Sequence, residues 1–358
     1  MKSASLNSNK LIEIIDKEIP EIFDDECLIK VHSCGVCSSD IYRGFDKGAY
    51  FYPLVMGHEF SGKIIKKGSS VNDFNISDNV CVFPLLPCFE CDSCKIKDYV
   101  TCTKYKYYGS RNDGAFSEYI AVKSWNLIKI DKNIDLYDAS FLEPLSVVVH
   151  ALKRLNLFNR NDLSKKKICI IGCGFLGLML NEILSKQIGL NQITLIDRNN
   201  FKLDFASNHK LMSKVILDSD QDWIKYLNLN PNSFDIVFEM SGHNKNFERS
   251  INLSKPKGEI LWLGNINNDL LISKKTVSSI LRNELKIIGT WNSNFKNKDD
   301  DWIDSLNLIR NKIVSPKKYV TNFIKLDELP ESIEKMFSHK TGNKRHNYIK
   351  YCVNFNEN

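Results

Sequence analysis

Four cysteines in one short stretch have the spacing of a closed metal site. Two, two and seven residues separate them along the chain: Cys88, Cys91, Cys94 and Cys102. Four thiolates complete the tetrahedral coordination of a structural Zn²⁺ ion. The seven-residue gap departs from the bacterial ferredoxin pattern, and the stretch lacks the second hairpin and the basic, aromatic face of a zinc-ribbon nucleic-acid module. We therefore predict a structural zinc that orders this loop.

A second group of residues has the chemistry of an open metal site. Cys37 and His58 combine a thiolate with an imidazole, a pair that suits Zn²⁺. Catalytic zinc usually has three protein ligands and one exchangeable position. The third ligand is expected from Glu143, a lone carboxylate in an apolar run, or from Glu59, which adjoins His58. Asp40, three residues after Cys37, is placed to orient His58.

Each of these residues also has a purely structural interpretation. Cys37 fits a core thiol, His58 fits a hydrogen-bonded buried histidine, and Glu143 fits a first-turn acid stabilised by the helix dipole. Their joint presence with the cysteine cluster and with a glycine-rich motif favours a catalytic metal.

The glycine-rich motif predicts a dinucleotide site. It reads Gly172-Cys173-Gly174-Phe175-Leu176-Gly177, between an apolar strand and a helical segment, and Asp197 ends the next strand 20 residues after Gly177. In this context the first glycine allows a tight turn, the second lets the backbone approach a pyrophosphate, and the third allows close packing. Asp197 is expected to bind the ribose hydroxyls and to repel a 2′-phosphate, which favours NAD. Arg198 keeps NADP open as the less favoured coenzyme.

The strand pattern divides the chain into two regions. Residues before about 150 contain short strand-like runs punctuated by turn residues, as in an irregular β-barrel. From 151 to 290, apolar strands alternate with helical segments, which indicates a doubly wound parallel sheet. We expect an α/β protein in which a nucleotide domain, 151–290, is inserted into a catalytic domain of residues 1–150 and 291–358, with a cleft between them.

The composition argues against several classes of function. The chain has 358 residues, of which 43% are hydrophobic and 26% are charged, and its net charge of +6 is spread along its length. It shows no signal sequence and no apolar run long enough to span a membrane. We expect a cytoplasmic protein without nucleic-acid or membrane partners. Eleven cysteines in such a chain favour metal ligation over disulfides.

The order of these motifs resembles that of the zinc-containing medium-chain alcohol and polyol dehydrogenases, over essentially the whole chain. The run Glu143-Pro144-Leu145-Ser146-Val147 is similar to the polyol branch, because other alcohol dehydrogenases have a cysteine ligand at the position of this glutamate. More specific stretches are similar to the hexitol-phosphate dehydrogenases of that branch: Tyr52-Pro53, Pro84-Leu85-Leu86-Pro87-Cys88-Phe89, Gly109-Ser110-Arg111-Asn112-Asp113-Gly114 and Ile280-Leu281-Arg282.

The resemblance implies a GroES-like β-barrel catalytic domain, a Rossmann domain, and a homodimer or homotetramer. It also implies that Ser39, two residues after Cys37, relays the substrate proton. Many relatives have a histidine five residues after the ligand cysteine, which passes that proton to solvent. This chain has Tyr42 there, so water is expected to carry the proton.

These features together predict hydride transfer between NAD(H) and a secondary hydroxyl of a sugar alcohol. The expected substrate is a hexitol phosphate, interconverted with its ketose phosphate. Two alternatives stay open: an unphosphorylated polyol or threonine-type dehydrogenase, and a non-catalytic, zinc-stabilised NAD-binding protein. Six residues are candidates for contacting a substrate phosphate or lining the pocket, although surface charge or packing explains each equally well: Arg43, Lys47, Arg111, Tyr50, Phe51 and Trp291.

Overall fold

The strands of the chain fall into two groups, one paired mainly antiparallel and the other paired parallel. The computed structural model describes residues 1–206, 212–266, 268–342 and 346–356. They form one unit from Met1–Ser146 with Ser293–Asn358 and a second from Val147–Asn292. The boundaries expected from the sequence lay at residues 150 and 290.

Most strands of the first unit are antiparallel. They are β1 (Lys2–Leu6), β2 (Ile12–Asp16), β3 (Glu26–Gly35), β4 (Leu54–Val55), β5 (Glu59–Lys67), β6 (Asn79–Val82), β7 (Leu85–Leu86), β8 (Lys106–Tyr107), β9 (Tyr119–Lys123), β10 (Leu127–Lys129), β17 (Asn322–Ile324) and β18 (Tyr351–Asn354). The largest sheet has the order β10-β6-β5-β3-β18-β17, and β9 also pairs with β3. Smaller sheets are β2-β1-β4 and β7-β8.

All strands of the second unit are parallel. They are β11 (Ile168–Ile171), β12 (Ile193–Asp197), β13 (Ser213–Ile216), β14 (Phe234–Glu239), β15 (Ser254–Trp262) and β16 (Lys286–Gly289). Their order in the sheet is β13-β12-β11-β14-β15-β16. The chain builds the sheet from β11 outward to one edge and then, from β14, outward to the other edge. This is the doubly wound arrangement expected from the alternating pattern. The apolar-run pattern does not predict β13, because this edge strand is short and mostly exposed.

Helices and turns connect the strands. The helices of the first unit are α1 (Ser38–Tyr42), α2 (Asp92–Lys95), α3 (Leu136–Ser140), α10 (Asp301–Arg310) and α11 (Leu329–Lys340). Those of the second are α5 (Phe175–Lys186), α6 (Asn200–Asp204), α7 (Asp220–Leu229), α8 (Asn244–Leu253) and α9 (Lys274–Arg282), and α4 (Leu142–Arg154) continues from one unit into the other. A π-helical turn spans Arg43–Lys47, and short 3₁₀ turns span Tyr99–Thr101, Ser124–Asn126, Leu157–Asn159, Leu163–Lys165, Pro316–Tyr319 and Leu326–Glu328.

Each unit has its own apolar core. In the first, alternate residues of β3 such as Ile29 and Val31 are buried with Phe60 and Ile64 of β5. In the second, β11 and β14 bury near-continuous apolar runs, as strands covered on both faces do. The pairing of β3 with β5 sets Gly35 opposite Glu59, and β18 sets Cys352 on the other side of Gly35. This register brings three distant parts of the chain to one place.

No helix in the described part of the chain is both long enough and apolar enough to cross a bilayer.

Candidate active site

Cys37 and His58 lie on turns that the β3–β5 pair holds together. Cys37 caps the amino terminus of α1, where its backbone N–H donates to Asp40 Oδ2 at 3.0 Å. The second oxygen of Asp40 lies 3.5 Å from Nδ1 of His58, which is an electrostatic contact but long for a hydrogen bond. Asp40 is fully buried, so it ties the cysteine turn to the histidine turn.

Three possible ligand atoms converge here. The sulfur of Cys37, a ring nitrogen of His58 and a carboxylate oxygen of Glu59 all lie within 4.8 Å of one another. Burial alone would lower the pKa of His58, but the charges of Asp40 and Cys37 raise it well above its usual value. A thiol, an imidazole and a carboxylate form a donor set that fits Zn²⁺.

Glu59 is also held by a buried cation that the sequence analysis missed. Nζ of Lys350 lies 2.8 Å from Oε1 and 2.5 Å from Oε2 of Glu59, and both side chains are buried. Burial opposes the charge of Lys350, yet Glu59 raises its pKa above the usual value. The available signal was a lone lysine inside the apolar run Tyr348–Val353. Lysines in such a setting are almost never buried without a partner.

Glu143 lies beside this cluster, in the first turn of α4. Its Oε1 accepts a hydrogen bond of 3.1 Å from the hydroxyl of Tyr107, a second residue that the sequence analysis missed. Burial raises the pKa of Glu143 to about 7, with Glu59 adding to the effect and His58 opposing it. Burial and Glu143 together raise the pKa of Tyr107 well above its usual value, so its hydroxyl remains a donor.

Two of the other predicted residues, Ser39 and Tyr42, lie on α1. Ser39 is exposed in the first turn of α1. The Tyr42 ring contacts Phe337 at 6.4 Å and has the ammonium groups of two lysines within 6 Å. The three aromatic pocket candidates are exposed: Tyr50, Phe51 and Trp291.

The four cysteines of the loop form a separate cluster. Their sulfur atoms lie within 4.8 Å of one another, with Cys88 at 3.9 Å from Cys94 and at 3.6 Å from Cys102. Zinc–sulfur bonds of about 2.3 Å at tetrahedral angles separate sulfurs by about 3.8 Å. Backbone N–H groups lower the pKa of Cys91 to about 6, while burial raises that of Cys94 to about 12. Full ionisation therefore needs a cation, and the donor set fits a structural zinc.

The glycine-rich motif lies between β11 and α5. Gly172 has φ +99°, and a Cβ on Gly177 would lie 2.2 Å from the carbonyl oxygen of Gly172. A Cβ on Gly174, which caps α5, would meet no heavy atom within 4 Å. The space beside Gly174 fits a dinucleotide phosphate approaching the helix amino terminus.

The carboxylate of Asp197 supports the same loop. Its Oδ2 accepts a bond of 2.8 Å from the Cys173 N–H, and its Oδ1 accepts one of 3.0 Å from Asn199. Each oxygen retains a lone pair for a ribose hydroxyl. Arg198, the next residue, is exposed. Phe175 is buried and Leu176 is half-buried at the start of α5.

Two family models match successive parts of this chain. The alcohol dehydrogenase GroES-like domain matches residues 24–132, and the zinc-binding dehydrogenase family matches residues 176–311.

Individual proteins are similar over most of the chain. Galactitol 1-phosphate 5-dehydrogenase of Escherichia coli strain K12 is 34% identical over 81% of this chain and 83% of its own length. D-arabitol-phosphate dehydrogenase of Enterococcus avium is 30% identical over 90% of each. The crystal structure of galactitol-1-phosphate dehydrogenase from Escherichia coli superposes with a TM-score of 0.84 at 28% identity, over 99% of both chains. These matches confirm the predicted fold class and the resemblance inferred from the motifs.

The Lys350–Glu59 pair predicts a coupled effect on stability. Lys350→Met should lower the free energy of unfolding by about 3–5 kcal/mol, because it leaves the Glu59 charge buried without its partner. Lys350→Met combined with Glu59→Gln should cost less than the sum of the two single changes. Lys123→Met, which breaks an exposed pair with Asp25, is the control and should cost at most about 1 kcal/mol. Urea unfolding measures the free energy of unfolding of the two single variants Lys350→Met and Glu59→Gln, of the double variant and of the control. Additive single effects would contradict the proposed coupling.

The two helix-start glycines predict opposite phenotypes. Gly174→Ala should leave the free energy of unfolding nearly unchanged, since the added methyl group meets nothing, but should weaken coenzyme binding at least roughly tenfold. Gly177→Ala should destabilise by about 1–3 kcal/mol, because the collision with Gly172 outweighs the better helix propensity of alanine. Thermal unfolding and calorimetric titration with NAD⁺ test both. Equal coenzyme affinity of Gly174→Ala and the native protein would rule out this placement of the phosphate.

Proposed function

This chain belongs to the zinc-dependent alcohol and polyol dehydrogenase family, and on that premise we propose that it oxidises a hexitol phosphate to its ketose phosphate with NAD⁺, reversibly. Members of the family are oxidoreductases that act on CH–OH groups, and they use a nicotinamide coenzyme. The convergence of Cys37, His58 and Glu59 beside Glu143 carries the proposal. The relatives named for galactitol 1-phosphate and D-arabitol phosphate support a phosphorylated polyol as the substrate.

We propose Cys37, His58 and one of the carboxylates Glu59 and Glu143 as the ligands of the catalytic zinc. A zinc ion bound there supplies Lewis-acid polarisation of the substrate hydroxyl and lowers its pKa. Lys350 neutralises Glu59, and Tyr107 hydrogen-bonds to Glu143, so each carboxylate is oriented by a partner. The Asp40 carboxylate, 3.5 Å from Nδ1 of His58, would hold the imidazole in place.

Oxidation of the substrate alcohol releases a proton from its hydroxyl and a hydride from its carbinol carbon. Ser39, exposed two residues after Cys37, takes the hydroxyl proton and passes it to water. The Tyr42 ring packs against Phe337. A nicotinamide coenzyme held at the Gly172–Gly177 motif and Asp197 would accept the carbinol hydrogen as a hydride, and the carbinol would become the carbonyl of the product.

We propose NAD as the coenzyme and a homo-oligomer as the working state. The Asp197 carboxylate at the end of β12 would repel a 2′-phosphate, which favours NAD over NADP. The homodimer or homotetramer rests on the family resemblance, and three exposed apolar side chains of the second unit are available for a subunit contact: Leu271, Val277 and Leu281. The eleven cysteines, all of them among the described residues, form no disulfide, and thiols stay reduced in the cytoplasm, which supports that location.

A spectrophotometric screen of NADH formation and consumption tests the proposed reaction. We expect turnover of hexitol phosphates and the matching ketose phosphates, with lower catalytic efficiency for free hexitols and for threonine. Cys37→Ser should abolish turnover and reduce the zinc content from about two to about one ion per chain. Cys81→Ala, which changes a buried thiol of β6 outside both clusters, should retain both. Coenzyme binding without any hydride transfer would instead indicate a non-catalytic protein.

Asp197→Asn tests the coenzyme assignment. The change removes the charge that repels a 2′-phosphate and weakens the bonds to the ribose, so the ratio of kcat/KM for NAD to that for NADP should fall at least roughly tenfold. Asp204→Asn on α6 removes the same charge from the same unit and should leave the ratio unchanged. A native enzyme that prefers NADP would overturn the assignment.

A further inference from the structure

The Arg111 side chain contacts two tyrosine rings. Its guanidinium carbon lies 4.0 Å from the ring centre of Tyr50 and 4.3 Å from that of Tyr105. Nη2 donates a hydrogen bond of 3.0 Å to the Tyr50 hydroxyl. Contacts with aromatic rings restrict the plane of a guanidinium, and the remaining N–H donors stay available at its edge. A planar cation held in this way suits bidentate recognition of a phosphate.

Arg43 borders the same tyrosine. Its guanidinium carbon lies 6.0 Å from the ring centre of Tyr50. Its Nε is buried and has no hydrogen-bond partner among the described residues. A buried donor without a partner costs free energy, so an acceptor brought by a ligand would be stabilised there. The charge of Arg43 also acts on Asp40, the carboxylate beside His58.

Arg43 and Arg111 have no carboxylate at ion-pair distance, a feature that they share with Arg154, Arg198 and Arg282 among the described residues. Within residues 1–206, 212–266, 268–342 and 346–356, neither Arg43 nor Arg111 forms an ion pair with a carboxylate, whereas three other arginines do: Arg160, Arg249 and Arg310. Two cations beside one ring, with Asp40 as the nearby carboxylate that interacts with Arg43, leave a net positive charge at this place. Such a place favours a dianionic group.

Both arginines lie on segments that carry the candidate metal ligands. Arg43 opens the π-helical turn directly after α1, six residues beyond Cys37. Arg111 lies in the loop 109–114, which packs on Gly57, the residue before His58. A Cβ on Gly114 would lie 2.2 Å from the Gly57 carbonyl oxygen, and the Ala115 N–H donates to that oxygen at 2.9 Å. The loop therefore cannot move far from the histidine.

We propose that Arg111 and Arg43 form the phosphate subsite of the substrate site. This inference rests on the proposed function, and it names the residues that would distinguish a polyol phosphate from a free polyol. The phosphate monoester accepts charge-assisted hydrogen bonds from both guanidinium groups while the carbinol at the other end of the molecule reacts. A free polyol leaves the same donors without an acceptor, so it binds more weakly.

Steady-state kinetics of Arg111→Met and Arg43→Met test the subsite. Each change keeps an apolar stem and removes the cation. The ratio of kcat/KM for a hexitol phosphate to that for the free hexitol should fall roughly tenfold to hundredfold, mainly through a higher KM for the phosphate. Inorganic phosphate should compete with the hexitol phosphate in the native enzyme, and its inhibition constant should rise in both variants. Arg310→Met removes an arginine of the same unit that is paired with Asp131, and it should leave the ratio unchanged.

The outcomes separate this inference from the proposed function. A native enzyme that handles free and phosphorylated hexitols equally well would overturn the phosphorylated substrate and the subsite with it. A native preference for phosphate that survives in both variants would overturn the subsite alone. A rise in the KM of the coenzyme, with the KM of the polyol phosphate unchanged, would assign the arginines to coenzyme phosphates and overturn the inference. Tyr50→Leu, at an exposed ring, gives a second test if either arginine variant fails to fold, and it should lower the same ratio.

Discussion

The pairing of β3 with β5 across Gly35 and Glu59 is the constraint on which the candidate active site depends. A Cβ on Gly35 would lie 2.3 Å from Oε2 of Glu59, so glycine is needed for the carboxylate to occupy this position. The same register places Cys37, the N-cap of α1, two residues after β3 and His58 directly before β5. Slipping the strands by one residue would move the Glu59 side chain to the opposite face of the sheet relative to β3. The site is therefore built on a rigid element of the first unit.

Charge balance is the second constraint, because three buried carboxylates surround one thiol and one imidazole. Asp40, Glu59 and Glu143 are all less than a tenth exposed. Burying several acids together is unfavourable unless cations accompany them. Lys350 offsets the charge of Glu59, and burial together with Glu59 raises the pKa of Glu143 to about 7. A bound divalent cation would offset the remaining charge, which is the physical reason that this donor set fits zinc.

The structural elements that the sequence analysis identified well are those with local patterns. The apolar run Ile168–Ile171 is β11, and the turn after it contains the glycine motif. The roles of Lys350 and Tyr107 were not predicted from the sequence, for different reasons. Lys350 acts on Glu59 across 291 residues of chain, and Tyr107 lies on a two-residue strand whose neighbours are also aromatic or basic. Neither contact leaves a periodic signal. The edge strand β13 was missed because exposure removes the apolar run on which strand assignment relies.

The sequence by itself determined which reactive groups the protein has. They are a loop with four thiols, a thiol and an imidazole with two candidate carboxylate ligands, and a dinucleotide motif with its acidic residue. Each of these depends on residue type and short spacing, which fold locally. Tertiary structure alone decided which carboxylate adjoins Cys37 and His58, which cation neutralises it, and that Arg111 lies on a loop bonded to the histidine turn. Those arrangements come from strand register and from contacts between distant segments, and no local pattern in the chain encodes the closing of such long loops.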